Sequence, residues 1–267
     1  MMKLDGKRIL LTGASGGLGS ALAAALARRG ARLGLAGRRH EPLQALAGSL
    51  ATAGAEAVPL VAELTADGAP GRLVTAMQAS FGGIDVLINN AGISAFTEFA
   101  SQDPATLAAT VQTNVTAPLL LTRAVLPQLL AQGHGAVVNI GSMFGSIAFA
   151  WFAGYSTSKF ALRGFSEALR REVAGSGVAV LYAAPRALRT PINGPAVERM
   201  AAAIDMPMDD PAPVAERIVR ALERGRKEIY LGYPEALFVR LNGLLPRLVD
   251  GALRRQNRQM RLFLGQV

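Results

Sequence analysis

Arg8-Ile9-Leu10-Leu11-Thr12-Gly13-Ala14-Ser15-Gly16-Gly17-Leu18-Gly19 is a short apolar run that breaks into a glycine-rich turn. Ser20 to Arg29 follow as an alanine-rich helix ended by Gly30. Strand, glycine turn and helix in that order aim backbone N–H groups at a phosphate, because the first turn of a helix leaves its amides unpaired. Gly13, Gly17 and Gly19 have the spacing G-x-x-x-G-x-G, not the G-x-G-x-x-G dinucleotide fingerprint. Alone, such a loop fits any tight βα turn. As the first turn of a chain that goes on alternating strand and helix, it points to a dinucleotide.

That alternation continues to residue 231. Ala31 to Ala36 reads as a second strand, Glu41 to Ala53 as a helix, Ala57 to Val61 as a strand and Pro70 to Phe81 as a helix. Asp85 to Asn89 is the fourth strand and runs into Asn90-Ala91-Gly92. Asp103 caps a long helix with Pro104 at its first position, and Asn114 falls inside it. Ala136 to Ile140, Gly177 to Tyr182 and Glu228 to Leu231 read as the remaining strands, with helices from Tyr155 to Val173 and Pro213 to Arg224. Strand and helix in alternation predict an α/β fold, a Rossmann-type doubly wound parallel sheet of about seven strands with helices on both faces. With no internal repeat and no low-complexity linker, residues 1–231 read as one catalytic domain. Residues 232–267 read as a helical extension rather than a second domain.

Gly37-Arg38-Arg39 follows the second strand. An acidic side chain near this point would take the ribose 2′-hydroxyl of NAD. Gly37 leaves that place empty, whereas the planar fork of Arg38 suits a 2′-phosphate, with Arg39 as a helper. The cofactor expected is NADP(H).

Bulk composition removes several other classes. At 267 residues, with 51% hydrophobic and 18% charged side chains, the chain is long and apolar enough for a substantial core. There are no cysteines, which excludes disulfides, thiolate metal sites and a cysteine nucleophile. His40 and His134 lie far apart in sequence, so no metal site is expected. The charged start lacks the apolar core of a signal peptide, and the uncharged run Gly135 to Ser158 is interrupted by Asn139, several serines and glycines. A cytoplasmic protein is expected. The net charge of +9 is not accompanied by a nucleic-acid motif or by aromatics interleaved with the arginines, so no nucleic-acid partner is expected.

The chemistry lies in Ser142 … Tyr155-Ser156-Thr157-Ser158-Lys159. Tyrosine and lysine four apart share one helix face. A tyrosine hydroxyl ordinarily holds its proton to about pH 10, and a neighbouring ammonium favours the phenolate and moves that pKa towards neutrality. Ser142 adds a neutral donor for a carbonyl oxygen.

Taken together these residues resemble the short-chain dehydrogenase/reductase family over roughly residues 5 to 231. The turn Thr12 to Gly19 looks like the family's cofactor loop, with Gly13, Ser15, Gly17, Leu18 and Gly19 around the phosphates. Asn89-Asn90-Ala91-Gly92 looks like the segment on the adenine-ribose side. Asn114, Ser142, Tyr155 and Lys159 fall in the order and spacing of the family's catalytic tetrad. The resemblance implies that Tyr155 exchanges a proton with the carbonyl oxygen and that Ser142 polarises the carbonyl. It implies that Lys159 holds the nicotinamide ribose, and that Asn114 holds a water connecting Lys159 to solvent. The backbone after Pro185, at Arg186, together with Thr190, would fix the carboxamide. Three departures stand out: Arg186 where glycine is usual, Glu63 where aspartate is usual, and Gly16 where NADP enzymes often have a basic residue.

Met143, Phe144, Ile147, Phe149, Trp151 and Phe152 are expected to line an apolar substrate cleft, with Phe149 and Trp151 equally suited to core or oligomer contact. The segment Pro191 to Asp210 suits a modest lid. Pro246 to Leu264 reads as a basic amphipathic helix expected to pack on its own domain or a sister subunit, with weak peripheral membrane contact as the other use of such a stripe. The function expected is reduction of a small apolar carbonyl compound, or oxidation of the matching alcohol, in a homo-oligomer (dimer or tetramer). A 3-oxoacyl-(carrier protein) reductase and a non-catalytic NADPH sensor are the alternatives.

Overall fold

The computed structural model describes residues 2–265. Seven parallel strands form one sheet in the order β3-β2-β1-β4-β5-β6-β7. They are β1 (Arg8–Thr12), β2 (Arg32–Gly37), β3 (Ala57–Val61), β4 (Val86–Asn89), β5 (Gly135–Ile140), β6 (Val178–Pro185) and β7 (Glu228–Leu231). The central strands β4 and β5 are buried along their whole length, which is why they read as unbroken apolar runs rather than alternating ones.

The helices cover both faces. Against one lie α1 (Gly17–Ala27), α2 (His40–Thr52) and α8 (Pro211–Glu223), whose apolar sides join one buried cluster with β1 and β2. Against the other lie α3 (Ala69–Phe81), α5 (Ala117–Gln132) and α6 (Ala153–Glu172). Strand order reverses between β1 and β4, so the crevice beyond their carboxyl ends is where such sheets take ligands.

One helix differs from expectation. The long helix from Asp103 divides into α4 (Pro104–Val111) and α5, joined by a π-turn over Gln112–Thr116 that holds Asn114. Pro118 explains it: in an α-helix its N–H would bond to the carbonyl of Asn114, and proline has none. The ladder shifts, and the Ala117 N–H bonds to the Gln112 carbonyl five residues back.

After β6 the chain forms α7 (Pro195–Ala203), within the expected lid segment, and a parallel bridge between Leu188 and Asp209. After β7 come α9 (Glu235–Leu244) and α10 (Pro246–Arg261). The inward side of this pair, Val239 and Val249, packs on Met143 and Ile147 of the loop after β5.

Candidate active site

A cleft of about 1180 Å³ runs across the carboxyl ends of the strands, from the glycine turn to α7. Its end at the glycine turn is shaped by packing too close for a side chain. Gly13 sits at φ +63°, and a Cβ there would lie 2.8 Å from the Ala91 Cα. A Cβ on Gly19 would lie 2.0 Å from the Gly13 carbonyl oxygen. Asn90 pins this turn to the one after β4: its Nδ2 donates to the carbonyls of Thr12 at 3.0 Å and Gly13 at 3.2 Å. The Thr12 hydroxyl in return accepts from the backbone N–H of Asn90 and of Ala91. Ser15, Gly17 and Leu18 line the cleft beside it, as do Ala91 and Gly92.

Arg38 and Arg39 line the adjoining end of the cleft. The Arg38 guanidinium is largely exposed, and Nη1 stands 3.9 Å from Oε2 of Glu63, a weak solvated pair. Glu63 also lines the cleft, so the carboxylate and any bound phosphate would compete for the same arginine.

Ser142, Tyr155 and Lys159 stand together at the other end. Lys159 is buried; its Nζ donates to the Ile140 carbonyl at 3.0 Å and lies 5.6 Å from the centre of the Tyr155 ring. Burial pulls the Lys159 ammonium down to about 8. Burial pushes the Tyr155 phenol up to about 12, and a hydrogen bond with Ser142 pulls the other way. Tyr155 keeps part of its surface on the cleft, and water there tempers the push. The lowered tyrosine pKa expected from the neighbouring lysine is therefore absent in the protein alone. Burial is the larger influence on the phenol, ahead of the Ser142 hydrogen bond.

Ser142 is set by its neighbours. Its Oγ accepts the Phe144 N–H at 3.1 Å, and the buried Tyr182 hydroxyl donates to its carbonyl at 3.3 Å. A Cβ on Gly141 would meet the Tyr182 ring at 2.2 Å, so glycine is needed for the ring to pass beneath the serine. Asn114 lies behind the cleft wall rather than in it. Its Oδ1 accepts the Ile93 N–H at 2.9 Å, and its Nδ2 donates to the Ile93 carbonyl at 2.8 Å and to Ser158 Oγ at 3.0 Å. A Cβ on Gly92 would fall 3.2 Å from Asn114 Oδ1 and 3.6 Å from Lys159 Nζ, so the two residues flank one glycine.

Pro185, Arg186 and Thr190 lie along the floor. Thr190 crosses the cleft to the glycine turn, where a Cβ on Gly17 would lie 2.5 Å from its methyl group. Arg186 does not project its charge into the pocket mouth. Its guanidinium forms a two-pronged pair with Asp209 and reaches Glu235 and the Tyr233 carbonyl. Gly232, at φ +139°, makes room for it: a Cβ there would lie 2.7 Å from the Arg186 Cδ.

The apolar end is narrower in membership than expected. Phe144 and Phe152 line it, with Ile192, Val197 and Met206 from the lid segment. Met143 and Ile147 turn instead into the cluster beneath α9 and α10. Phe149 and Trp151 form a second layer, Phe149 stacked on Phe144 with ring centres 4.6 Å apart. Trp151 takes the left-handed conformation at φ 70°, its carbonyl accepting the Thr97 N–H and its indole donating to the Asn257 carbonyl at 3.1 Å. Met260 and Phe263 back the same aromatic cluster, so α10 and Phe263 wall the apolar end. Tyr182, Ser158, Ile140 and this wall were not singled out from the sequence; the Asn114–Pro118 spacing was a signal for the π-turn.

The family model described as short chain dehydrogenase matches residues 7–201. The chain belongs to that family. An uncharacterized oxidoreductase of Myxococcus xanthus is 32% identical over 259 residues, 96% of this chain and 99% of that one. A short-chain dehydrogenase/reductase from Burkholderia phymatum solved with NAD superposes with a TM-score of 0.87 over 93% of this chain and 97% of its own, at 24% identity, and speaks for the fold alone. A metagenomic short-chain oxidoreductase solved with NADP superposes at 0.73 over 86% of this chain and 98% of its own, at 29% identity. This short-chain dehydrogenase is thus an oxidoreductase of a nucleotide-binding Rossmann type. Among the described residues there is no cluster of three metal-ligating side chains, and no helix is long and apolar enough to cross a membrane.

Proposed function

We propose that this protein is an NADP(H)-dependent oxidoreductase that interconverts a carbonyl and a secondary alcohol on a largely apolar small molecule. The observation that carries the reading is one continuous cleft with a glycine cradle and Arg38 at one end and Ser142, Tyr155 and Lys159 among aromatics at the other. The cradle fits a dinucleotide, because the glycines let the turn pack closely against Ala91 and on itself while the first residues of α1, Gly17 to Gly19, line the cleft where unpaired helix N-terminal amides take a phosphate. When bound, the dinucleotide supplies or accepts the hydride.

The protein's own residues handle the proton. Tyr155, held protonated near neutrality by burial, gives its proton to the carbonyl oxygen in reduction and recovers it in oxidation. Ser142, propped from below by Tyr182, donates to the same oxygen and polarises it. Lys159, brought down to about 8, is a proton source close to physiological pH. Asn114, which flanks Gly92 together with Lys159, would hold a water that links Lys159 to solvent. Gly13, Ser15, Gly17, Leu18 and Gly19 hold the phosphates, with Arg38 and Arg39 on the 2′-phosphate. Asn90, Ala91 and Gly92 flank the adenine-ribose side, and the Arg186 backbone and Thr190 the carboxamide. A cytoplasmic homo-oligomer is part of this reading; exposed Leu120 on α5 and Phe160 on α6 support association.

The test is consumption of NADPH and NADH against a panel of ketones, aldehydes and 3-oxoacyl thioesters, beside Tyr155→Phe. Turnover with NADPH that drops by three orders of magnitude or more in the variant, with NADPH binding retained, is the expected result. Equal turnover by the variant overturns the reading.

A further inference from the structure

We infer that α9 and the turn after it form a docking face for an anionic lipid surface. The amphipathic helix α10 supplies little of the apolar part beyond its first turn, because Val249, Leu253 and Met260 are spent on the body of the protein. The apolar part comes from α9. Opposite the buried Val239, its outer face carries Leu237, Leu241 and Leu244, spaced i, i+4 and i+7 and all exposed. Leu245 and Leu248 continue the face around the corner into α10, Leu244 being 79% and Leu248 68% exposed. An apolar stripe directed outward along a whole helix marks an interaction surface rather than scattered surface leucines.

Charge identifies the occupant. Between residues 236 and 249 the charged side chains are Arg240 and Arg247, both exposed, and neither is in an ion pair among the described residues. The flanking acids are Glu235, which is held by Arg186, and Asp250 on α10. A second copy seated on this face would bring four arginines together with only the two Asp250 carboxylates to offset them. An anionic headgroup layer complements both arginines while the leucines enter the acyl boundary, and arginine stems reach the interface along apolar surface. The net charge of +9 adds a general attraction to such a surface.

The test is sedimentation of the full chain with phosphatidylcholine vesicles and with vesicles one third phosphatidylglycerol, at low and high salt. Retention on the mixed vesicles that falls with salt, with little on the neutral ones, is expected. Arg240→Gln/Arg247→Gln should weaken it on the order of tenfold or more. Leu241→Ser/Leu244→Ser should abolish it, and these exposed positions leave the thermal transition in place. No retention on mixed vesicles overturns the inference, as does equal retention on neutral ones. Loss of an oligomer's mass in the leucine variant, by light scattering, assigns the face to a second copy and also overturns it. The arginine variant keeps the test decisive even if the leucine variant folds poorly.

Discussion

Arg186 grips Asp209 with two prongs, Nε to Oδ2 at 2.9 Å and Nη2 to Oδ1 at 2.6 Å, and so ties the end of β6 to the far end of the lid segment. The backbone repeats the tie, the Asp209 N–H donating to the Ala187 carbonyl at 2.9 Å. Arg186→Met leaves a partly buried carboxylate without its partner, and is expected to cost about 1–3 kcal/mol of stability. Asp209→Asn should cost a similar amount. The double variant should cost less than the sum, because the second change removes a group already orphaned. Urea unfolding of the set measures this, and a loosened lid should raise the substrate KM more than it lowers kcat.

Lys159 makes stability depend on alkaline pH in a direction opposite to an ordinary ion pair. Its pKa falls from 10.5 in the unfolded chain to about 8 in the folded one, so between those values the unfolded state binds more protons. Stability therefore rises with pH across that window, and the cost of the buried charge is fully present below it. Relative to Lys159→Met, the wild type should gain about 2 kcal/mol between roughly pH 7.5 and 9.5. Tyr155, with its pKa raised from 10 to about 12, works the other way, removing stability as pH rises through that higher range. Unfolding at a series of pH values below 10 isolates the lysine.

Arg38 and Glu63 should act as a pair on cofactor choice. Arg38→Ala is expected to weaken NADPH about 10–100-fold, the worth of a charged hydrogen-bonding pair, and to leave NADH nearly unchanged. Glu63→Gln frees the arginine from its solvated partner at 3.9 Å and should tighten NADPH a few-fold, less so at high salt. Fluorescence titration of both dinucleotides reads each effect without turnover.

Two glycines should respond in opposite senses to alanine. Gly164 lies inside α6 with no atom within 4 Å of a built Cβ, so Gly164→Ala should stabilise by about 0.5–1 kcal/mol. Gly19 has the Gly13 carbonyl 2.0 Å from that position, so Gly19→Ala must displace the turn. It should lose dinucleotide binding together with stability, which calorimetry with and without NADPH separates.

The sheet and the cleft's polar ends were legible in the sequence because each rests on a local pattern. Apolar runs such as Val137-Val138 mark buried strands, and the glycine turn and Tyr155–Lys159 spacing act within a few residues. What escaped was long-range. Nothing near Tyr182 reveals that its hydroxyl will meet Ser142, 40 residues away. Arg186 reads locally only as a charge where glycine is usual; its partners Asp209 and Glu235 are supplied by segments far along the chain. Helix spacing gives the proximity of Tyr155 and Lys159 but not their burial, which pushes the phenol up in the protein alone.

The indole of Trp151 waits for a carbonyl 106 residues further on, at Asn257. The sheet is complete once Leu231 has emerged from the ribosome, but the aromatic wall is complete only after residues 257–263 have followed. During synthesis the nascent chain thus passes through a stage at which the dinucleotide cradle has all its parts and the substrate end lies open. A chain interrupted between those points should keep the nucleotide and lose its selectivity for what is reduced.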